Sequence, residues 1–461
     1  MKKKHWILLA GLTVVGGGSY GGYAWWQAEQ VAAAVQASLP PRPDLTALPL
    51  ELQQRVARCE ARAKHGPGRV AALVELATLY HANSFFEEAT QCYQGLLTAD
   101  PGNVRWAHRL AMIISGFGRL EEATQLWQFV VARTPEYVPA QIRLGDVLLK
   151  ANRFDEAVAP YQAALQFSDD NPYALVGLAR IAMEKGRWQE ARERLERASA
   201  KSGYAIGSDL LVTVYEKLGQ EGRAVLLRGR QIAGGTFFDP PDPWVDEIFF
   251  DCYTPYRLSL GAGAAERAGN PENAMRLWER AMALDPNYVP VLYQLGSFYL
   301  RASDTTKALA YFRRCTEADP KFPDGWIYVA FILGKQGDTY GAELALAKGL
   351  SYCPNSPGLH LDRGRRRFAA GRYQEALEDF DANCRLRPEE GAGHVAAAKL
   401  YVKTGEIDKA LERLRQALQA EPGLVEALQL LTMGYISVGD EARARACFVQ
   451  VNQHPRIKPE E

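Results

Sequence analysis

A period of 34 residues runs through most of this 461-residue chain and constrains its fold more than any other feature. Alanines recur at this spacing in two series: Ala89, Ala123, Ala157 and Ala191, then Ala274, Ala308, Ala342, Ala376, Ala410 and Ala444. A large residue follows most of these alanines by four positions, and a proline often follows by twelve. A fixed period of this length is typical of stacked repeat architectures, in which each unit contacts its neighbours.

Each period contains two apolar stripes at helical spacing, separated by a short turn. The period that begins at Val289 shows both stripes: Leu292, Leu295, Gly296 and Tyr299, then Ala308, Phe312 and Cys315. Glycines such as Gly118 and Gly337 end the first helix, and the proline prevents the second helix from continuing into the next period. Because a lone helical hairpin cannot bury both of its faces, neighbouring periods must share a core.

This pattern resembles the tetratricopeptide repeat, a helix–turn–helix unit of the same length. The resemblance covers residues from about Val70 to about Pro455. It implies an all-α fold, a right-handed α-solenoid of about eleven helix–turn–helix repeats, which would follow an N-terminal transmembrane helix predicted separately from residues 6–26. The repeats begin near Val70, Val104, Val138, Pro172, Ala205, Pro255, Val289, Pro323, Pro357, Gly391 and Val425.

Two repeats depart from the pattern at apolar positions. In the repeat near Ala205, Arg228 occupies the position of the large apolar residue. In the repeat near Pro357, Arg363 and Arg367 stand where apolar or aromatic residues are usual. We expect the stems of these two arginines to pack inside the repeat while their charged heads reach solvent.

The N-terminal segment predicts a membrane anchor. Residues 6–26 carry no charge and follow Lys2, Lys3 and Lys4. As a helix they would span about 31 Å, enough to cross a hydrocarbon core of about 30 Å. The lysines favour a cytoplasmic N-terminus with the repeats periplasmic or extracellular. A cleaved signal peptide with its apolar core in residues 6–15 is the alternative, and the spacing of Gly17 and Gly21 would permit a homodimer.

These features divide the chain into six parts. They are an anchor or signal segment (1–26), a linker and capping helix (27–69), an N-terminal repeat array (70–233), an aromatic-acidic insert (234–254), a C-terminal repeat array (255–456) and a tail (457–461). Within the linker, an alanine-rich helix from Glu29 to Leu39 and an amphipathic helix from Leu50 to Lys64 are predicted.

Composition and motifs favour binding over catalysis. The 54 basic and 54 acidic residues balance, which argues against a nucleic-acid partner. We find no phosphate-binding loop, no HExxH and no CxxC, so no cofactor, metal or catalytic residue is predicted. The cysteines are expected to be structural, with a disulfide of Cys353 to a neighbouring repeat as the alternative.

In the resembling family the first helices line the inner, concave face of the array, where partners bind. The corresponding candidate partner-binding residues here are Arg105, Arg109, Arg143, Arg180, Arg365 and Lys399, and Trp244 of the aromatic-acidic insert is a further candidate. The four arginines of the N-terminal array would give it a basic inner surface, suited to an acidic peptide. The alternative is that these residues form an ordinary solvated polar face.

The insert is the most unusual stretch of the sequence. Repeat starts lie 33 to 34 residues apart except from Ala205 to Pro255, where the gap is 50. From Phe237 to Tyr256 the chain has seven aromatic residues and five acids but no Lys or Arg. One hypothesis is that the insert fills the junction of a five-repeat and a six-repeat array, lying against the inner groove with its acids on the basic face. The other is that it presents an aromatic-acidic surface, including Trp244, to a partner.

The sequence therefore predicts a membrane-tethered helical-repeat scaffold that binds protein or peptide partners on the non-cytoplasmic side and has no intrinsic catalysis. The alternative is a cleaved, secreted soluble adaptor, or a regulatory subunit of an envelope enzyme or assembly complex. The nature of the partner is not specified by any motif.

Overall fold

The computed structural model describes residues 29–65, 68–201, 205–231, 240–267 and 269–452, and within these residues every regular element is a helix. The predicted anchor, residues 1–26 with Gly17 and Gly21, lies outside the described residues. Among those that are described, no helix combines the length and the apolar character needed to cross a bilayer.

Two helices precede the repeats, as predicted. Residues 29–37 form α1, and Leu50–His65 form α2. Val35 of α1 is fully buried. Arg42, between the two helices, pairs with Glu60 of α2, which also accepts a hydrogen bond of 3.2 Å from the Tyr80 hydroxyl. The segment before the repeats is thus bonded to the first repeat and covers it.

Eleven helix pairs follow in the described residues, and their starts agree with the predicted ones to within one residue. The first five pairs are α3 Arg69–Ala82 and α4 Phe86–Ala99, α5 Val104–Gly116 and α6 Leu120–Arg133, α7 Val138–Lys150 and α8 Phe154–Phe167, α9 Pro172–Glu184 and α10 Trp188–Lys201, and α11 Ala205–Lys217 and α12 Glu221–Gln231. The insert contributes the short helix α13 Pro243–Asp246 and a 3-10 turn, Glu247–Asp251.

Six further pairs complete the repeats. They are α14 Pro255–Arg267 and α15 Pro271–Leu284, α16 Val289–Arg301 and α17 Thr305–Ala318, α18 Pro323–Lys335 and α19 Thr339–Tyr352, α20 Pro357–Ala369 and α21 Tyr373–Leu386, α22 Ala392–Thr404 and α23 Ile407–Ala420, and α24 Val425–Ser437 and α25 Glu441–Asn452.

The small and large residues of the period pack against each other. A Cβ atom added to Gly145 would lie 2.6 Å from the Tyr161 ring, and one added to Gly296 would lie 2.9 Å from the Phe312 ring. Both aromatic side chains are fully buried. The missing side chain lets the two helices of a repeat approach closely, and the aromatic ring fills the remaining space.

The described chain forms two compact bodies. The first body contains residues 29–169 and 240–284, so the insert and α14–α15 belong with the first three repeats. The second body contains residues 170–231 and 285–452. The bodies group the repeats differently from the two sequence-defined arrays, whose boundaries stay predictions.

The expectation that the heads of Arg363 and Arg367 reach solvent is wrong. Their side chains are only 20% and 17% exposed, and both guanidinium groups bind Asp379 of α21, at 2.7 and 2.9 Å. Asp379 is itself buried. A guanidinium group inside a repeat core must be paired with an acid, because an unpaired buried charge destabilises the folded protein by roughly 3–5 kcal/mol.

All seven cysteines are free thiols, so the alternative of a Cys353 disulfide is wrong. Burial raises the pKa of the Cys315 thiol to about 12 and that of Cys384 to about 11. These thiols are neutral at physiological pH, as expected for small apolar residues inside second helices.

Candidate functional site

The insert lies on the first helices of the first two repeats and on the turn before the third. Its described part, residues 240–254, contacts α3 and α5 and the turn before α7, and we call this surface the covered face. The chain separation between the bonded residues ranges from 105 to 170. The insert's acids meet basic side chains of these first helices, as one of the two hypotheses predicted.

The centre of this contact is a buried pair, His108 of α5 and Asp242 of the insert. His108 Nε2 lies 2.7 Å from Asp242 Oδ2, and neither side chain is more than 3% exposed. Trp127 Nε1, which can only donate, bonds His108 Nδ1 at 3.1 Å. His108 therefore accepts at Nδ1 and directs Nε2 at the Asp242 carboxylate.

Asp242 is held as a carboxylate by its other neighbours as well. The Tyr137 hydroxyl donates to Asp242 Oδ1 at 2.6 Å. Burial acts to raise the pKa of Asp242, but the electrostatic interaction and hydrogen bond with His108, the bond from Tyr137 and the charge of Arg143 more than offset it, so the pKa lies below its ordinary value. In the opposite sense, burial and the nearby Asp242 charge raise the pKa of Tyr137, which keeps the hydroxyl protonated as the donor.

Trp244 supplies the aromatic part of the contact. Its ring stacks on Tyr137, with 3.6 Å between centroids and 11° between planes. Arg105 lies 5.6 Å from the centre of the same ring, a cation–π distance. The Trp244 carbonyl accepts a bond of 2.8 Å from Arg109 Nε, and the same guanidinium pairs with Glu247.

Asn83, at the end of α3, binds the backbone of the insert twice. Its Oδ1 accepts from the Tyr253 amide at 2.8 Å, and its Nδ2 donates to the Asp251 carbonyl at 3.0 Å. Beside it, Arg55 of α2 pairs with the Asp251 carboxylate at 2.9 Å. The covered face thus recognises the main chain of the insert as well as its acids.

The C-terminal end of the insert is also fastened to α14 and α15. A Cβ atom on Gly261 would lie 2.7 Å from the Phe249 ring, so that ring packs directly on α14. Arg280 of α15 donates to the Cys252 carbonyl at 2.9 Å. Arg257 of α14 donates to Ser84 at 2.6 Å, joining α14 to the turn after α3.

In the second body, the first helices from α18 to α24 present a different surface, which we call the open face. Two rows of side chains at the repeat spacing define it: Phe331, Arg365, Lys399 and Met433, and Phe368, Val402 and Ile436. Among the apolar members, Phe331 is 40% exposed and Met433 66%. Exposed apolar side chains together with cations form a surface suited to binding another chain.

Contacts between neighbouring first helices make the open face continuous. Arg366 of α20 donates to the Ala330 carbonyl of α18 at 2.6 Å. Helix α20 also packs on α22, and Lys399 of α22 pairs with Glu426 of α24. Lys335 lies 4.9 Å from the Phe331 ring centre, so cations flank the exposed aromatic ring.

The predicted partner-binding residues lie in three places: at the insert, on α9 and on the open face. Arg105, Arg109 and Trp244 come together at the insert, with Arg143 close enough to influence Asp242. Arg180 of α9 is half-buried in the second body. Arg365 and Lys399 are exposed on the open face, where each has one acidic neighbour, Asp362 and Glu426. Binding of a partner by these residues stays a prediction.

Sequence reasoning missed Arg55, Asn83 and Tyr137 as partners of the insert. Asn83 and Tyr137 lie just outside helices, where the repeat period gives no signal. His108 lies on a first helix, where the sequence does not distinguish it from an ordinary packed or solvated histidine. No local pattern links it to an aspartate 134 residues away.

The stacked helix pairs define an α-helical repeat protein whose first helices carry its candidate binding surfaces. A family model described as tetratricopeptide repeat matches residues 148–202, 265–327 and 367–433, and a second model with that description matches residues 115–174. A TPR repeat-containing protein of Pseudomonas aeruginosa is 33% identical over 73 residues, which are 16% of this chain and 70% of the relative. The chain belongs to the tetratricopeptide repeat family.

Other relatives match over smaller parts of their length. A TPR repeat-containing protein of Bacillus subtilis is 25% identical over 156 residues, which are 33% of this chain and 37% of that protein. The crystal structure of yeast Tom70 aligns with 84% of this chain and 92% of its own, at 14% identity and a TM-score of 0.40. With the Bacillus protein and two further relatives, the chain covers 17% to 37% of the relative's length.

Proposed function

We propose that the protein is a non-catalytic scaffold that binds a segment of a partner protein along the open face. The observation that carries the proposal is the pair of rows on α18, α20, α22 and α24, in which the exposed side chains are Phe331, Val402, Met433 and Ile436 together with Arg365 and Lys399. The partner segment carries acidic and large apolar side chains, since these complement the charge and the apolar character of the rows.

The insert supports this choice of partner chemistry. It is an aromatic and acidic segment of the same chain, and it lies on first helices of the same repeat family. There, arginines pair with its acids and an aromatic ring stacks with its tryptophan. The repeats of this protein are thus able to hold such a segment on this side of their first helices.

Binding to an array of 15-residue peptides tests the proposal. Acidic and aromatic positions are varied independently, and wild type is compared with Arg365→Glu/Lys399→Glu. We expect wild type to select peptides with both residue types and the double variant to lose that selection at least tenfold in affinity. The control is Lys307→Glu/Arg385→Glu, a matched charge reversal at exposed positions of second helices, which leaves binding unchanged. Equal loss in both variants, or no selection by wild type, contradicts the proposal.

We propose further that residues 6–26 tether the scaffold to a membrane, with the repeats on the non-cytoplasmic side. The support is the uncharged stretch of 21 residues behind three lysines. A reporter that is active only outside the cytoplasm, fused after Glu461, should be active. N-terminal sequencing of the mature protein distinguishes a retained anchor from a cleaved signal peptide, and activity of a cytoplasm-only reporter would contradict the proposed orientation.

A further inference from the structure

The covered face contacts the insert through both main-chain and side-chain bonds, as a peptide-binding site contacts a peptide. Asn83 bonds both an amide and a carbonyl of its main chain, and Arg109 bonds another carbonyl. Main-chain bonds of this kind accept any sequence, while the side-chain contacts select one. Selection here comes from His108, which binds an aspartate, and from Tyr137, which stacks on an aromatic ring.

We propose that the insert is a tethered internal ligand, and that the covered face is a second binding surface from which a partner segment displaces it. The proposal rests on the function proposed above and adds a regulatory step to it. The occupant is a protein segment with the spacing of Asp242, Trp244 and Glu247, that is, Asp-x-aromatic-x-x-acid.

The contacts around the buried aspartate are accessible from solvent. Glu247 is 45% exposed and its partner Arg105 is 54% exposed, while Asp251 is 30% exposed. An exposed ion pair such as Arg105–Glu247 contributes little to stability and breaks readily. An incoming acid can therefore replace the pair with Arg105 before the insert is fully released.

The buried pair determines what can replace the insert. Release of Asp242 would take away the shared acceptor of His108 Nε2 and the Tyr137 hydroxyl, which is unfavourable. A partner must bring a carboxylate to the same place, so the aspartate of the motif is obligatory. An acidic segment without an aspartate at this position will not displace the insert.

The test uses the full chain with the open face disabled by Arg365→Glu/Lys399→Glu, so that failure of the first proposal cannot affect it. The probe is a labelled synthetic peptide of residues 239–256 carrying Cys252→Ser. We expect weak binding when the insert is intact. Adding Trp244→Ala/Glu247→Gln to the insert should increase affinity at least tenfold, because the internal ligand is weakened. A further Arg109→Gln on the face, or a probe carrying Asp242→Asn, should abolish the gain.

Circular dichroism of each variant establishes that it is folded. A folded Trp244→Ala/Glu247→Gln chain that gains no affinity overturns the proposal and makes the insert a fixed structural element. Hydrogen exchange of the unmutated chain provides an independent measurement if that variant does not fold. We expect the amides of Val245, Asp246 and Tyr253 to exchange at least tenfold faster than those of α5 and α6, and equal rates would overturn the proposal.

Discussion

The first helices of the two bodies present contrasting surfaces. In the first body they are covered by a segment of the same chain, which is held by a buried His108–Asp242 pair. In the second body, α18 to α24 expose apolar and basic side chains in rows at the repeat spacing. One repeat scaffold therefore supports both an occupied and an open surface, according to the side chains that its first helices carry.

Each body also buries one aspartate, and the two are held differently. Asp242 belongs to the insert, and its partners lie more than 100 residues away in the chain. Asp379 has partners from the first helix of its own repeat: Arg363, Arg367 and His360, the last at 2.9 Å. The first aspartate attaches a distant segment to the scaffold, whereas the second neutralises charges within one repeat.

The largest expected effect separates these two roles. Asp379→Ala leaves the charges of Arg363 and Arg367 without their shared partner inside the repeat. We expect a loss of about 3 kcal/mol in the free energy of unfolding, measured by urea denaturation with circular dichroism. Glu375→Ala, which removes a more exposed acid from the same cluster, is the control and should cost less than about 1 kcal/mol. Equal losses in the free energy of unfolding would show that burial does not determine how much Asp379 contributes to stability.

A smaller effect is expected from removing the aromatic contact of the insert. Trp244→Ala loses the stack on Tyr137 and the contact with Arg105, so the first body should lose about 2 kcal/mol of stability. The matched control is Tyr256→Ala, because Tyr256 ends the same aromatic stretch but is 59% exposed. Thermal unfolding that is unchanged in Trp244→Ala would mean that the insert does not stabilise the covered face.

The stability that the buried His108–Asp242 pair contributes is expected to fall as the pH is lowered. Because the pKa of Asp242 in the folded chain lies below its ordinary value of 3.8, the unfolded chain binds the proton more readily. The stability that Asp242 contributes is present above that ordinary value and is lost as the pH falls through the lowered folded pKa. Asp242→Asn should cost about 1.5 kcal/mol at pH 7 and progressively less below about pH 4. A cost that is constant down to pH 2 contradicts this account of the pair.

The smallest effect on stability is expected at the open face. Met433→Ser and Ile436→Ser remove exposed apolar side chains, so each should change the free energy of unfolding by less than about 0.5 kcal/mol. The fully buried Leu431 on the same helix is the contrasting position, and Leu431→Ala should cost about 2 kcal/mol or more. Destabilisation by Met433→Ser equal to that of Leu431→Ala would show that the open face is part of the core.

The helix pairs could be predicted closely from sequence because the residues that define each pair are near one another in the chain. The small residue, the aromatic and the turn glycine of each period act within one hairpin, as Gly296 and Phe312 show. The burial of the Arg363 and Arg367 guanidinium groups could not be predicted, because it depends on their pairing with buried Asp379 on the following helix. Local sequence shows that an arginine interrupts an apolar stripe, but it does not show what neutralises the charge.

The candidate site was predictable in its chemistry but not in its geometry. The acids of the insert and the arginines Arg105 and Arg109 are apparent from composition and from helical position, and the structure brings them together. The roles of His108, Tyr137 and Asn83 depend on contacts over more than 100 residues of chain. Such contacts leave no periodic signal in a single sequence.

The attachment of the insert to the first repeats has a consequence for how the chain folds. Contacts in a repeat array are mostly between neighbours, so helix pairs such as α5–α6 can form as soon as they are synthesised. The contact of Asp242 with His108 instead closes a loop of 134 residues, which contains α6 to α12. Closing so long a loop adds an entropic cost that local pairs do not have, and on a ribosome it must wait until the insert emerges. We therefore expect a slow final phase in refolding, in which the buried histidine and aspartate meet after the helices are complete.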